Sequence, residues 1–86
     1  MRPERVNVAA AATLAGLHAQ AFETPWSAAE FADLLGQAGV FALAAEDQGF
    51  ILMREVAGEA EVLTLAVAPA ARRQGLARAL LAAALT

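Results

Sequence analysis

The stretch EVLTLAVAPAARRQGLARALLAAAL, residues 61–85, decides the fold, because it joins a strand, a turn and a helix in one run. Residues 61–67 have the composition of a strand, and the alanine- and leucine-rich residues 78–85 that of a helix. The hexapeptide RRQGLA, residues 72–77, lies between them and opens the helix. Cations at a helix N-terminus are unfavourable unless an anion binds the free backbone N–H groups there, and a glycine lets that anion approach closely. The stretch therefore predicts a phosphate-binding turn.

Two plainer interpretations of this turn remain open. Gly75 could serve only to relieve a tight turn between strand and helix. One of the pair Arg72 and Arg73 is expected to be a solvated charge, because consecutive residues do not face the same ligand.

Composition limits the classes of function. The chain has 86 residues, a net charge of −3 and no cysteine, so we expect one small domain without disulfides or thiolate metal sites. Although 59 % of its residues are hydrophobic, no apolar run reaches the roughly 18 residues of a membrane span. All six cationic side chains are arginines, and three of them lie in residues 72–78, so no basic face for nucleic acid can form. We expect a cytoplasmic protein that binds a small anion, with no metal.

Two helices are predicted in the first half of the chain. Leu14 and Leu17 recur at helical spacing in an alanine-rich segment. Ser27 and Glu30 form a capping-box pattern that starts a second helix over residues 28–35. Trp26 and Phe31 are spaced as a hydrophobic staple around that cap, and Gly36 is expected to end the helix in a left-handed conformation.

The apolar periodicity changes after this point. Residues 40–45, 50–56 and 60–68 are short apolar runs separated by turns of a few residues. Turns this short predict antiparallel hairpins and a three-strand meander. The order of two helices, three strands and a final helix is that of an α+β fold in a single domain.

The residues around the turn resemble a known family. Residues 65–69 followed by Arg72, Gly75 and Ala77 are similar to the acyl-CoA-binding motif of the GNAT acetyltransferases, Arg/Gln-x-x-Gly-x-Gly/Ala. The upstream segments 21–22 and 25–27 resemble the start of the ribosomal-protein-alanine N-acetyltransferase branch. The resemblance implies an acetyl-CoA-dependent N-acetyltransferase that modifies a protein N-terminal amine, possible targets including a ribosomal protein.

The resemblance also implies cofactor contacts. In GNAT enzymes the strand before the motif pairs with the pantetheine arm, and the turn and helix start bind the pyrophosphate. The implied pantetheine contacts are Leu65, Ala66 and Val67, and the implied pyrophosphate contacts are Arg72, Arg73, Gln74, Gly75, Leu76, Ala77 and Arg78.

Three further side chains, Glu61, Phe22 and Trp26, are candidates for the part of the site that binds the acceptor amine. Strand alternation places Glu61 on the apolar face of residues 63, 65 and 67, where burial would raise the pKa of its carboxyl and suit a general base. A strand-edge glutamate without a catalytic role is the alternative. The resemblance implies that Phe22 and Trp26 border the acceptor site, although both also suit a core or staple role. His18, one residue from the stripe of Leu14 and Leu17, is expected on the surface of the first helix or at its rim, and is rejected as a metal ligand.

The family pattern extends beyond the motif helix, with a further strand, helix and hairpin. We therefore expect residues 1–86 to be the N-terminal part of a single GNAT domain, which alone is inactive or nearly so. Its exposed strand edge or helix face favours a homodimer. Two other functions stay open, a non-catalytic CoA-binding or self-associating module and an acetyltransferase for small-molecule amines.

Overall fold

The structure, a computed structural model, describes residues 2–86 and contains a four-stranded antiparallel sheet whose strands follow the order of the sequence. The strands are β1 (Glu4–Val6), β2 (Val40–Ala45), β3 (Gly49–Val56) and β4 (Glu59–Val67). The helices are α1 (Ala11–Ala21), α2 (Ala28–Leu35) and α3 (Leu76–Ala84), and short 3-10 helices cover Val8–Ala10 and Pro69–Ala71. The α+β class and the antiparallel meander are confirmed.

The sequence did not predict β1. Its three residues pair with β2, with Arg5 opposite Leu43. Glu4 and Arg5 are exposed, so the strand has no apolar alternation to reveal it. Its existence depends on the partner strand, which lies far along the chain.

The sheet is covered on both faces. One core lies between the sheet and the pair α1 and α2, and the other between the sheet and α3. Fully buried side chains of the first core include Leu14, Phe31, Phe50 and Leu52, and those of the second include Ile51, Met53 and Leu80. Residues 49–53 of β3 are buried one after another, because successive side chains enter opposite cores. No helix within residues 2–86 has the length and apolarity to cross a bilayer.

Helix α2 begins as the sequence predicts. The Ser27 side chain accepts from the Glu30 N–H, and the Glu30 carboxylate accepts from the Ser27 N–H. The Trp26 and Phe31 rings lie 5.6 Å apart, which confirms the staple. The prediction that Gly36 is left-handed is wrong, because its φ is −83°. In the turn between α2 and β2 the left-handed glycine is instead Gly39, with φ 82°, directly before β2.

A β-bulge interrupts the pairing of β3 with β4. Leu52 lies opposite Thr64, whereas the next residue, Met53, lies opposite Val62. Leu63 is therefore an extra residue, and the side-chain alternation changes phase there. Leu65 packs against the α3 core, whereas Leu63 packs against the core under α1 and α2.

Candidate functional site

The turn between β4 and α3 leaves the start of α3 without a side-chain cap. Gly75 is the N-cap residue with a left-handed backbone, φ 77°, and no side chain hydrogen-bonds to the first turn. Arg73 is also left-handed, with φ 67°. A Cβ built on Gly75 would meet no heavy atom within 4 Å, so the space beside the turn is open. Free N–H groups facing open space are what an anion at a helix N-terminus requires.

Three arginines surround this space. A cavity of about 380 Å³ is lined by Val67, Ala71, Arg72, Arg73, Gly75, Leu76, Ala77 and Arg78. Within residues 2–86 the one ion pair joins Arg54 and Glu61, so the cavity arginines have no carboxylate partner there. The structure places both Arg72 and Arg73 at the cavity. A concentration of uncompensated positive charge on an acidic chain favours a polyanionic ligand.

The end of β4 is held against the start of α3. The Arg72 Nε donates to the Val67 carbonyl oxygen at 3.2 Å. Leu76 and Leu80 are buried against the sheet. A Cβ on Gly49 would lie 3.1 Å from the Leu76 Cδ2, so the missing side chain lets α3 approach closely. The start of α3 is thereby fixed relative to β4.

The last residues of β4 offer backbone groups at an open edge. In the sheet of residues 2–86, β4 is a terminal strand. The Ala68 N–H donates to the Gln48 carbonyl oxygen at 2.7 Å, and antiparallel pairing alternates, so Ala66 also bonds toward β3. Leu65 and Val67 therefore direct their backbone groups to the open edge. Of the three residues with an implied pantetheine contact, Leu65 has free backbone groups and Val67 a free N–H, because the Val67 carbonyl already accepts from Arg72, while Ala66 is buried.

His18 contradicts its expected surface position. Its exposure is 3 %, its Nδ1 accepts from the Trp26 backbone N–H at 3.0 Å, and its Nε2 lies 3.1 Å from the Thr64 Oγ1. The expectation is wrong because His18 lies four residues after Leu14 and shares its buried face. Burial lowers the pKa of His18, and the negative charge of Glu30 opposes this effect. No cluster of three potential metal-binding side chains exists within residues 2–86.

The aromatic residues proposed for the acceptor end are brought together by His18. Its ring stacks on Phe22 with centroids 4.3 Å apart and on Trp26 with centroids 5.0 Å apart. Phe22 remains 43 % exposed, whereas Trp26 is half-buried and contacts the core. Phe22 thus presents an apolar surface beside the His18 ring, which contacts Thr64 on the face of β4 that α1 covers. The sequence had named both aromatic residues but had missed His18 and Thr64, which place them.

Glu61 does not lie in the apolar surroundings that strand alternation predicted. It pairs with Arg54 across the sheet, and its Oε1 lies 3.5 Å from the Arg54 Nη1. Its side chain is 62 % exposed. The reason is the bulge at Leu63, which puts Glu61 on the sheet face opposite Leu65 and Val67. The prediction that Glu61 is buried is therefore wrong, and its role as a catalytic base stays a prediction.

Comparison with known families and structures agrees with this geometry. A sequence profile described as the Acetyltransferase (GNAT) family matches residues 11–86. No curated protein sequence matches the chain.

Three solved structures are similar to the chain. The ribosomal-protein-S18-alanine N-acetyltransferase from Escherichia coli superposes with a TM-score of 0.82 at 26 % identity, over 96 % of this chain and 56 % of that one. A ribosomal-protein-alanine N-acetyltransferase from Brucella melitensis biovar Abortus 2308 gives a TM-score of 0.75 at 20 % identity, over 99 % of this chain and 70 % of that one. A GCN5-related N-acetyltransferase from Kribbella flavida gives a TM-score of 0.76 at 26 % identity, over 98 % of this chain and 22 % of that one. The chain thus spans little more than half the length of the Escherichia coli enzyme.

Proposed function

The chain belongs to the GNAT family of acetyltransferases, and from this premise we propose that it transfers the acetyl group of acetyl-CoA to the N-terminal amine of a protein. The acceptor class follows the similarity to the ribosomal-protein-alanine acetyltransferase of Escherichia coli. A ribosomal protein in the cytoplasm is the proposed target. Residues 1–86 would supply the cofactor-binding part of a single GNAT domain.

The observation that carries the proposal is the uncapped start of α3. Gly75, the free N–H groups of the first turn and three arginines face one open cavity. The pyrophosphate of acetyl-CoA carries the charge that this cavity lacks, and it would bind at the helix N-terminus. Arg72, Arg73 and Arg78 would neutralise it, and the backbone of residues 74–77 would donate hydrogen bonds.

The open edge of β4 supports the direction in which the cofactor would extend. The N–H and carbonyl of Leu65 and the N–H of Val67 are available to pair with the amides of the pantetheine arm, as a peptide pairs with an exposed sheet edge, while the Val67 carbonyl accepts from Arg72. Thr64 lies three residues before Val67, which is about 10 Å along a strand. The thioester would therefore be directed toward the bulge and toward Phe22.

At this end the reaction requires a neutral amine. The amine nitrogen forms a bond to the acetyl carbon, the carbon–sulfur bond breaks, the amine loses a proton and the sulfur gains one. Glu61 is the candidate base on β4, and its exposed position would let it pass the proton to water. Phe22 and Trp26 would form the apolar wall beside a small N-terminal side chain.

The position of the transferred acetyl group tests the proposal. The chain and the complete product of its reading frame are incubated side by side with acetyl-CoA and a peptide that has N-terminal alanine and an internal lysine. We expect the complete product to acetylate the α-amine, as located by tandem mass spectrometry, and the 86-residue chain to be inactive or nearly so.

Other results would replace the proposal by its alternatives. Acetylation of the lysine side chain or of small amines only would favour a small-molecule amine acetyltransferase. CoA binding by the complete product without transfer to any amine would favour a non-catalytic binding module.

A further inference from the structure

One hydrogen-bonded side chain connects α1, the segment between α1 and α2, and the bulged strand β4. His18 is the one buried polar side chain within residues 2–86. It accepts from the Trp26 backbone and contacts the Thr64 hydroxyl, which lies 46 residues away in sequence. Neither contact belongs to the cofactor cavity, and the proposed function does not use His18.

The two contacts determine the tautomer of His18. A backbone N–H can only donate, so Nδ1 must be unprotonated to accept from Trp26. The ring proton of the neutral imidazole is then on Nε2, which donates to the Thr64 Oγ1. Each ring nitrogen therefore has a separate task, Nδ1 holding the segment before α2 and Nε2 holding β4.

The segment that Nδ1 holds is otherwise restrained at its C-terminal end, where Ser27 hydrogen-bonds to Glu30 and the Trp26 ring packs on Phe31. Residues 22–27 have no regular secondary structure. Phe22 and Trp26 both stack on the imidazole ring, and Phe22 is 43 % exposed. Without an acceptor at Nδ1, the Trp26 N–H would lose its hydrogen bond; without the imidazole ring, Phe22 and Trp26 would also lose the plane on which they stack. The position of the apolar wall near β4 therefore depends on His18.

We propose that His18 is a positioning residue for the acceptor amine. Its two hydrogen bonds and its stacked ring fix the position of Phe22 and Trp26 relative to the bulge of β4. The proposal rests on the proposed function, because it assigns the wall to acceptor binding. His18 does not touch the reacting atoms. It acts through the segment 22–27, so its loss should weaken acceptor binding and leave CoA binding unchanged.

Two conservative variants separate the two nitrogens of the ring. In His18→Asn the side-chain oxygen can take the place of Nδ1 and accept from Trp26. In His18→Gln the longer amide can take the place of Nε2 and donate to Thr64, but leaves the Trp26 N–H without its acceptor. Both variants carry an amide and both lack the ring, so a difference between them reports the hydrogen bond to the Trp26 N–H.

The first readout needs no acceptor. Trp26 is the one tryptophan of the chain, and its backbone amide can be followed by NMR in the CoA-bound protein. We expect the Trp26 amide to retain its hydrogen-bonded chemical shift and slow exchange in wild type and His18→Asn, and to lose both in His18→Gln. The second readout is the KM for the N-terminal-alanine peptide in the complete product, expected to rise about three- to tenfold in His18→Gln with the CoA affinity unchanged.

The outcomes are distinguishable from a failure of the proposed function. Equal Trp26 signals in both variants, or equal loss of peptide and CoA affinity, would overturn the positioning role. If the wild type binds CoA but acetylates no N-terminal amine, the acceptor assignment is wrong, and the positioning of a protein acceptor by His18 is overturned with it. A variant-specific Trp26 signal together with an acceptor-specific change in KM supports the proposal.

Discussion

At the scale of single residues, the molecule contains one group whose protonation should control stability near neutral pH. His18 is the one histidine of the chain, and burial lowers its pKa from the ordinary 6.5. Glu30 on α2 opposes the shift, α1 carries no other charged side chain, and Arg54 and Glu61 on the strands below pair with each other. Protonation would place a proton on Nδ1 and break the hydrogen bond from Trp26.

We predict that stability falls as the pH is lowered below 6.5, the ordinary pKa of His18. A pKa lowered by folding means that the unfolded chain binds the proton more tightly, so the stability is complete above the unfolded value and is lost as the pH falls toward the folded one. His18 can change the unfolding free energy by no more than about 1.4 kcal/mol per pH unit, because it binds a single proton. Urea unfolding between pH 5 and pH 8 measures it, and a wild-type slope equal to that of His18→Asn would contradict the prediction.

At the scale of elements, local chemistry made some structure predictable and distant partners made the rest unpredictable. The start of α2 follows from Ser27 and Glu30, which act within one turn, and the sequence predicted it correctly. β1 arises from pairing with β2, which lies far along the chain, and the bulge at Leu63 arises from the register of β4 against β3, so the pattern within either strand alone does not show them. The turn that opens α3 was predictable from residues 72–77, whereas the surroundings of Glu61 depend on the bulge and were not.

The turn between α2 and β2 gives a prediction at this scale. Gly39 has φ 82°, and a Cβ there would overlap the carbonyl oxygen of Glu55. Its own carbonyl accepts from the Glu55 N–H at 2.8 Å, which holds the start of β2 to β3. Gly39→Ala should therefore lower the unfolding free energy by about 2 kcal/mol or more.

Gly36→Ala is the matched control for that substitution. Gly36 has φ −83°, and an added Cβ would meet only ordinary contacts at 3.5 and 3.6 Å. Urea unfolding should show a change within about 1 kcal/mol for this variant. If the two variants were equally stable, the account of this turn would be incorrect.

At the scale of the whole molecule, charge and sheet edges are distributed unevenly. The chain is acidic, yet three of its six arginines lie at one cavity. The edge strand β1 is short and carries Glu4 and Arg5, whereas the edge strand β4 has nine residues and an exposed Val62. An exposed edge of this length is a site for pairing with another chain.

We predict that the 86-residue chain self-associates through β4. Val62→Lys places a charge on this edge strand and should shift sedimenting species toward the monomer. Val8→Lys is the control, because Val8 is also exposed, at 56 %, but lies outside the sheet. A wild-type chain that sediments as a monomer at high concentration would refute the homodimer.

Calorimetric titration with coenzyme A tests the central claim, that the start of α3 binds the cofactor phosphates. Gly75→Asp places a carboxylate beside them, and aspartate is among the residues that best tolerate a left-handed backbone. Gly58→Asp is a close control, because Gly58 has φ 82° and equally open surroundings but lies in the turn between β3 and β4. We predict that Gly75→Asp weakens coenzyme A binding at least about tenfold through lost and repulsive charge contacts, while Gly58→Asp binds like the wild type. Equal affinity of all three proteins would contradict the account.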